Sequence, residues 1–233
     1  MFGRAMDQEL AKKRVVDQIS EVGELTRQVS QRYEAIFSSF YGVLVETLDD
    51  AASMAEAARF TMEMADTAVE GFRTNFVGQP RFACAKGCSA CCHLIVAIPP
   101  GVAEAMAEHI DTAFSGEERE ALIVRLEEAV ARFRDAEDPQ AVRAPCPLLN
   151  DEGGCSVYEV RPLSCRSFTS TSLPRCQQVV FGPNPTNAGV DQNPARYRIY
   201  EYATRALEEA ARRRGLPGQQ QALSAALLAQ LSP

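Results

Sequence analysis

The sequence predicts a mainly α-helical protein: a long helical hairpin, then a helical domain with a small β-hairpin around a cysteine-rich core. Three observations predict it. No proline occurs before Pro80, and all thirteen lie from there onward, so the first 75 or so residues can run as helix without a break from the ring. Within that stretch apolar residues return every three or four positions, the period of one helix face. All eight cysteines fall between Cys84 and Cys176, which places a compact cysteine segment inside the helical scaffold. These divisions give residues 1–78 as a helical hairpin or coiled coil, 79–218 as a cysteine-cluster domain, and 219–233 as a tail helix.

The first helix is carried by Val15, Ile19, Val22, Leu25, Val29, Tyr33, Ile36, Phe40 and Val43. A break is expected at Leu48-Asp-Asp-Ala-Ala-Ser53, where the aspartates or Ser53, with Glu56 three residues on, can cap a second helix. That helix carries Ala55, Ala58, Met62, Ala65, Val69, Phe72 and Phe76 on one face. The pair packs as an antiparallel hairpin or, since the spacing stays near 3.5 residues, joins a protein partner or a second copy of the chain as a coiled coil.

Beyond Pro80 the signals shorten. The run Leu94–Ile98 is a buried strand or the tail of a cysteine-bearing helix. Pro100 suits the first turn of a short helix over 101–111. Ser115-Gly-Glu-Glu118 is a capping box, opening a helix to about Arg134 that buries Leu122, Leu126, Ala129 and Phe133. The segment from Cys146 to Tyr158, with Asn150-Asp-Glu-Gly-Gly154 at its centre, predicts a β-hairpin. Pro162 opens a short helix containing Cys165. Residues 169–193, with Pro174, Pro183, Pro185 and Gly189, are expected as a long irregular loop, and Asn193-Pro194 starts a helix ending near Gly215.

The cysteine spacing carries the chemistry. Cys84-Ala-Lys-Gly-Cys88-Ser-Ala-Cys91-Cys92 packs four thiols into nine residues, and crowded thiolates stay together only when a soft cation or a disulfide network neutralises them. Spacings of four and three would set several sulfurs on one side of a helix. Disulfides fit poorly. Asp7 and Glu9 stand where an export signal would carry its apolar core, so the chain is expected in the cytoplasm, where thiols stay reduced. The adjacent Cys91 and Cys92 would also need separate partners at one backbone point. Metal remains, as zinc held by four thiolates per ion or as an iron–sulfur cluster of the 4Fe–4S type. A cluster spreads its ligands over a wider surface than one tetrahedral ion, which suits Cys91 and Cys92 slightly better.

Other classes find no support. A net charge of −7 argues against non-specific nucleic-acid binding, and no stretch approaches the ~20 apolar residues of a membrane span. The spacing also resembles radical S-adenosylmethionine enzymes. Ala90 stands where those enzymes usually place an aromatic residue, however, and there is no strand–helix alternation. No paired carboxylates or nucleophile–base arrangement indicates a catalytic residue.

Together the blocks Cys84-x3-Cys88-x2-Cys91-Cys92, Cys146-Pro-x-Leu, Cys155-x-Val-Tyr158 and Arg161-Pro162-x-x-Cys165-Arg166 resemble the cysteine-cluster (YkgJ-like) family over roughly residues 80–180. That family is described as zinc- or iron-chelating, and flagellin lysine N-methylases carry a similar domain. The resemblance implies metal ligation by Cys84, Cys88, Cys91, Cys92, Cys146, Cys155 and Cys165. Cys176 is added because a ligand there would hold its loop. A redox or methyl-transfer enzyme is the alternative that the resemblance leaves open. His93 abuts the cluster as a further candidate ligand, and His109 is expected on the surface. Lys86, Arg161 and Arg166 flank the ligands and would offset the negative charge of a metal–thiolate group. Tyr158 is expected to pack beside the hairpin.

Overall fold

The structure, a computed structural model, describes residues 2–76, 78–84, 87–182 and 190–232, with side chains from residue 9 onward. The chain divides into two compact units, residues 1–40 and 41–233. The first consists of the leading part of helix α1 (Phe2–Leu48). The second runs from Tyr41 onward and takes in both the second helix and the C-terminal helix. The physical reason is burial: each of those helices has an apolar face that needs a partner, and the partners lie in the cysteine-bearing part of the chain.

The mainly α architecture is as expected. The turn between α1 and α2 (Met54–Asn75) falls at 49–53, and Ser53 rather than an aspartate is the cap, its hydroxyl accepting from the Glu56 amide at 3.1 Å. Glu56 returns a bond from the Ala52 amide at 2.6 Å, so two orphan N–H groups are satisfied at once. Ala57, Ala58, Met62 and Ala65 form the buried stripe of α2. It packs on α3 (Val102–Ala113) and on α7 (Pro194–Arg213), whose Ala203, Ala206 and Ala210 are fully buried. Facing alanines let these helix axes approach closely, while Ile199, Tyr200 and Leu207 fill the remaining space.

α4 (Gly116–Arg134) starts at the expected capping box, with Ser115 and Glu118 each bonding the other's backbone amide. It buries Leu122, Leu126 and Ala129 and, with α3, packs on α8 (Leu223–Leu231). α3 opens at Gly101, whose φ of 86° favours glycine. A Cβ there would lie 2.1 Å from the Met54 carbonyl oxygen, so the close approach of α2 also excludes any other residue.

Two elements differ from expectation. The two-stranded antiparallel sheet pairs β1 (Ala97–Ile98) with β2 (Gln221–Ala222), in the register Ala97–Ala222 and Ile98–Gln221, so its strands come from opposite ends of the cysteine-bearing part of the chain. The 146–158 segment keeps its turn but only one bridge, Leu149 with Cys155. Asn150 explains this: its Oδ1 accepts from the Gly154 amide at 2.7 Å, its own amide donates to the Gly154 carbonyl at 2.8 Å, and its carbonyl accepts from the Gly153 amide at 2.9 Å, closing a tight loop instead of extending a ladder. The second difference is α6 (Leu173–Phe181), a helix inside the expected irregular loop. Ser172 caps it and Pro174 sits in its first turn, where a missing N–H is harmless. Pro183, Pro185 and Gly189 lie outside the described residues.

Candidate metal centre

The cysteines are presented by short, irregular elements rather than by one helix. Cys84 lies in an extended stretch, Cys88 follows a turn at Gly87, and Cys91 and Cys92 sit on a single 3-10 turn, Ala90–His93. The expected one-faced helix does not form here, because the chain must leave room for backbone bonds to the second cysteine block. Cys146 donates its amide to the Cys92 carbonyl at 2.7 Å, and Ala144 donates to His93 at 3.3 Å. Farther on, the Ala83 amide donates to the Ser170 carbonyl at 2.8 Å, and the Ser170 amide donates to the Cys84 sulfur at 3.3 Å. Each half of the first block is thereby stitched to a different part of the second.

Cys155 follows the Asn150 turn, and Cys165 is carried by α5 (Leu163–Ser167), anchored by the fully buried Leu163. Cys176, on α6, is buried with Ala90 and Val180, with Leu94, Phe168 and Val190 packed around them. All eight cysteines are free thiols.

Their electrostatics show that they share one neighbourhood. Burial pushes Cys165 up to about 12 and Cys146 up to about 11, and it raises Cys155 as well. For each of these three the charge of Cys91 adds to the rise. Burial also lifts Cys176 to about 11, with Cys91, Cys88 and Cys84 contributing. Cys91 and Cys92 hydrogen-bond each other: Cys91 is held down as the acceptor, helped by the Arg161 charge, and Cys92 is driven up as the donor. Cys91 thus stands between two sets, Cys84, Cys88 and Cys176 on one side and Cys92, Cys146, Cys155 and Cys165 on the other. Without a cation most of these thiols are held protonated, since each new thiolate would be buried beside another. A soft cation reverses that preference.

The chemistry of the thiols and the charge beside them suit such a cation. The Arg161 guanidinium lowers Cys91, Cys155 and Cys165, yet its Nε is buried and has no hydrogen-bond partner. A buried, unsatisfied cationic N–H beside thiols is costly unless an anionic group completes it. A metal–tetrathiolate is such a group. Arg161 also lies over the Tyr158 ring, 4.8 Å from its centre, so Tyr158 is a packing platform. Among the described residues no three His, Cys, Asp or Glu side chains converge closely enough to hold a single ion. Lys86 lies outside the described residues. His93 donates Nδ1–H to the Ser89 carbonyl at 3.1 Å, and its ring meets Phe181 edge to face, which uses the imidazole structurally.

Residues 83–192 match the sequence model of a family described as a "putative zinc- or iron-chelating domain". The match takes in all eight cysteines. These residues are thus similar to a cysteine-cluster family. No curated protein and no solved structure matches the chain. No helix among the described residues is long and apolar enough to cross a membrane.

The cysteine-cluster domain has supports that its motif does not reveal. Arg166 binds the Asp66 carboxylate of α2, the Glu159 carbonyl and, at 2.6 Å, the Arg161 carbonyl. Tyr200 of α7 donates its hydroxyl to the other oxygen of Asp66. Arg196 bonds the Arg166 carbonyl at 2.6 Å and stacks over Tyr200 and Phe82. Asp66, Arg196, Tyr200 and Ser170 carry no local signal of this role, because their partners lie 30 to 134 residues away.

Removing the Arg161 charge tests the electrostatic reading. In Arg161→Ala, metal affinity measured by chelator competition is expected to fall on the order of tenfold, with Arg161→Lys intermediate. Equal affinity in all three proteins would show that the guanidinium does not face the metal group.

Proposed function

We propose that the cysteine-cluster domain chelates metal through its thiolates, and that the group held is a 4Fe–4S iron–sulfur cluster with a structural or sensory role. The observation that carries this reading is that Cys91 of the 3-10 turn, Cys155 after the Asn150 loop and Cys165 of α5 all feel the charge of one guanidinium, Arg161, whose Nε is buried and unpaired. A tetrahedral zinc needs four sulfurs about 2.3 Å from one centre, whereas a cluster takes its ligands at separate iron corners, which suits the adjacent Cys91 and Cys92 better. A cytoplasmic, reducing environment keeps such thiols available.

Zinc is the second reading, supported by a specific observation. Cys176 responds to Cys84 and Cys88, neither of which acts on Cys165, while Cys91 acts on both; two zinc ions sharing eight thiolates would divide the cysteines along such lines.

Anaerobic purification with absorption spectroscopy and iron, sulfide and zinc analysis tests the proposal. Brown protein with a broad visible band and acid-labile sulfide is the expected result; colourless protein with stoichiometric zinc establishes the second reading. Protein free of either metal after reconstitution overturns both. Stripping the metal with a chelator is expected to lower the melting temperature, because ligation free energy is also folding free energy.

A further inference from the structure

We propose that residues 15–36 of α1 form a self-association surface through which copies of this chain join as a coiled coil. This rests on the first compact unit alone and is independent of the metal. The face is apolar, regular and exposed. Val15, Val22, Val29 and Ile36 recur every seven residues, with Ile19, Thr26 and Tyr33 between them in the other seam position. Val22, Ile19 and Val29 are 62%, 66% and 66% exposed, values usual for a surface charge and not for a seam of valines.

The charges are arranged for a partner of the same kind. From residue 15 to 36, Asp17, Glu21, Glu24, Arg27 and Glu34 all fall on the outer positions of the heptad, and only Arg32 flanks the seam. Glu24 bonds Gln28, and Arg27 pairs with Glu24, so these charges are also tied to one another on the outer side. Two copies meeting through this face therefore bring no run of like charges together, the usual barrier to self-pairing. A heterologous partner would instead be marked by a row of one charge sign beside the seam.

The area is sufficient. Burying six aliphatic side chains (Val15, Ile19, Val22, Leu25, Val29 and Ile36) removes roughly 500 Å² per helix from water, taking ~60–120 Å² for each. Two helices then reach the ~1,000 Å² that a specific interface needs.

Sedimentation velocity on the full chain at about 20 μM tests the proposal, with Val22→Glu/Val29→Glu as the disrupting variant and Glu21→Ala/Arg27→Ala as the control on the outer face. The wild type and control are expected to sediment as oligomers, and the glutamate variant as a monomer with unchanged metal content. A monomeric wild type overturns the proposal and leaves the face to another protein. An oligomer that survives both glutamates places the contact elsewhere and overturns it equally.

Discussion

Replacing Cys165 by Ser is expected to abolish stoichiometric metal binding and to lower the melting temperature by about 10 °C. The size follows from where Cys165 sits. α5 is five residues long, far below the length at which a helix holds itself together, so tertiary contacts must fix it. Leu163 provides one such contact and the Arg166 bonds another; ligation at Cys165 would be the third. Structural metal binding contributes on the order of 10 kcal/mol in small domains, and losing even ~3 kcal/mol of it shifts melting by about 10 °C for a chain of this size. Cys88→Ser is expected to behave in the same direction through the first block. Metal analysis and calorimetry on both variants decide the matter: unchanged metal and unchanged melting would mean that these cysteines are ordinary buried thiols.

Arg166→Ala is expected to cost about 3 kcal/mol while leaving every thiol in place. The Arg166 side chain is 13% exposed and ties α2, at Asp66 a hundred residues away, to the nearby 3-10 turn through the carbonyls of Glu159 and its capping residue Arg161. Truncation leaves two carbonyls without a donor and leaves Asp66 beside Tyr200 with no cation. Burial already raises the Tyr200 hydroxyl's pKa, and its bond to Asp66 raises it further, so that hydroxyl cannot take over the lost charge. Tyr200→Phe removes one hydrogen bond and is expected to cost only about 1 kcal/mol. Urea titrations of the two variants test the ordering. Equal losses would show that the network is held by packing of Tyr200 rather than by the Asp66–Arg166 pair.

Much of the scaffold is legible along the chain because its signals are local. The Ser53–Glu56 and Ser115–Glu118 caps, the proline-free stretch and the apolar period of α2 each act within one or two turns, and each element forms where those residues place it. The cysteine blocks likewise announce thiolate chemistry, since nine residues with four thiols have few other uses. The α6 helix was hidden by the same logic. Pro174 reads as a loop residue until Ser172 is seen capping the turn that accepts it.

Tertiary structure alone decided the pairings. β1 finds β2 rather than a hairpin neighbour, and Asn150 closes its loop on Gly154, because strand pairing depends on which backbone groups are left unpaired after the helices pack. The two cysteine blocks meet through Cys146 with Cys92 and Ser170 with Cys84, and Arg161 is buried beside them with an unpaired Nε. Spacing in the sequence reports which ligands lie near each other along the chain. Contacts across 54 and 86 residues arise only when burial of the α2, α3 and α7 faces has brought those segments into one core.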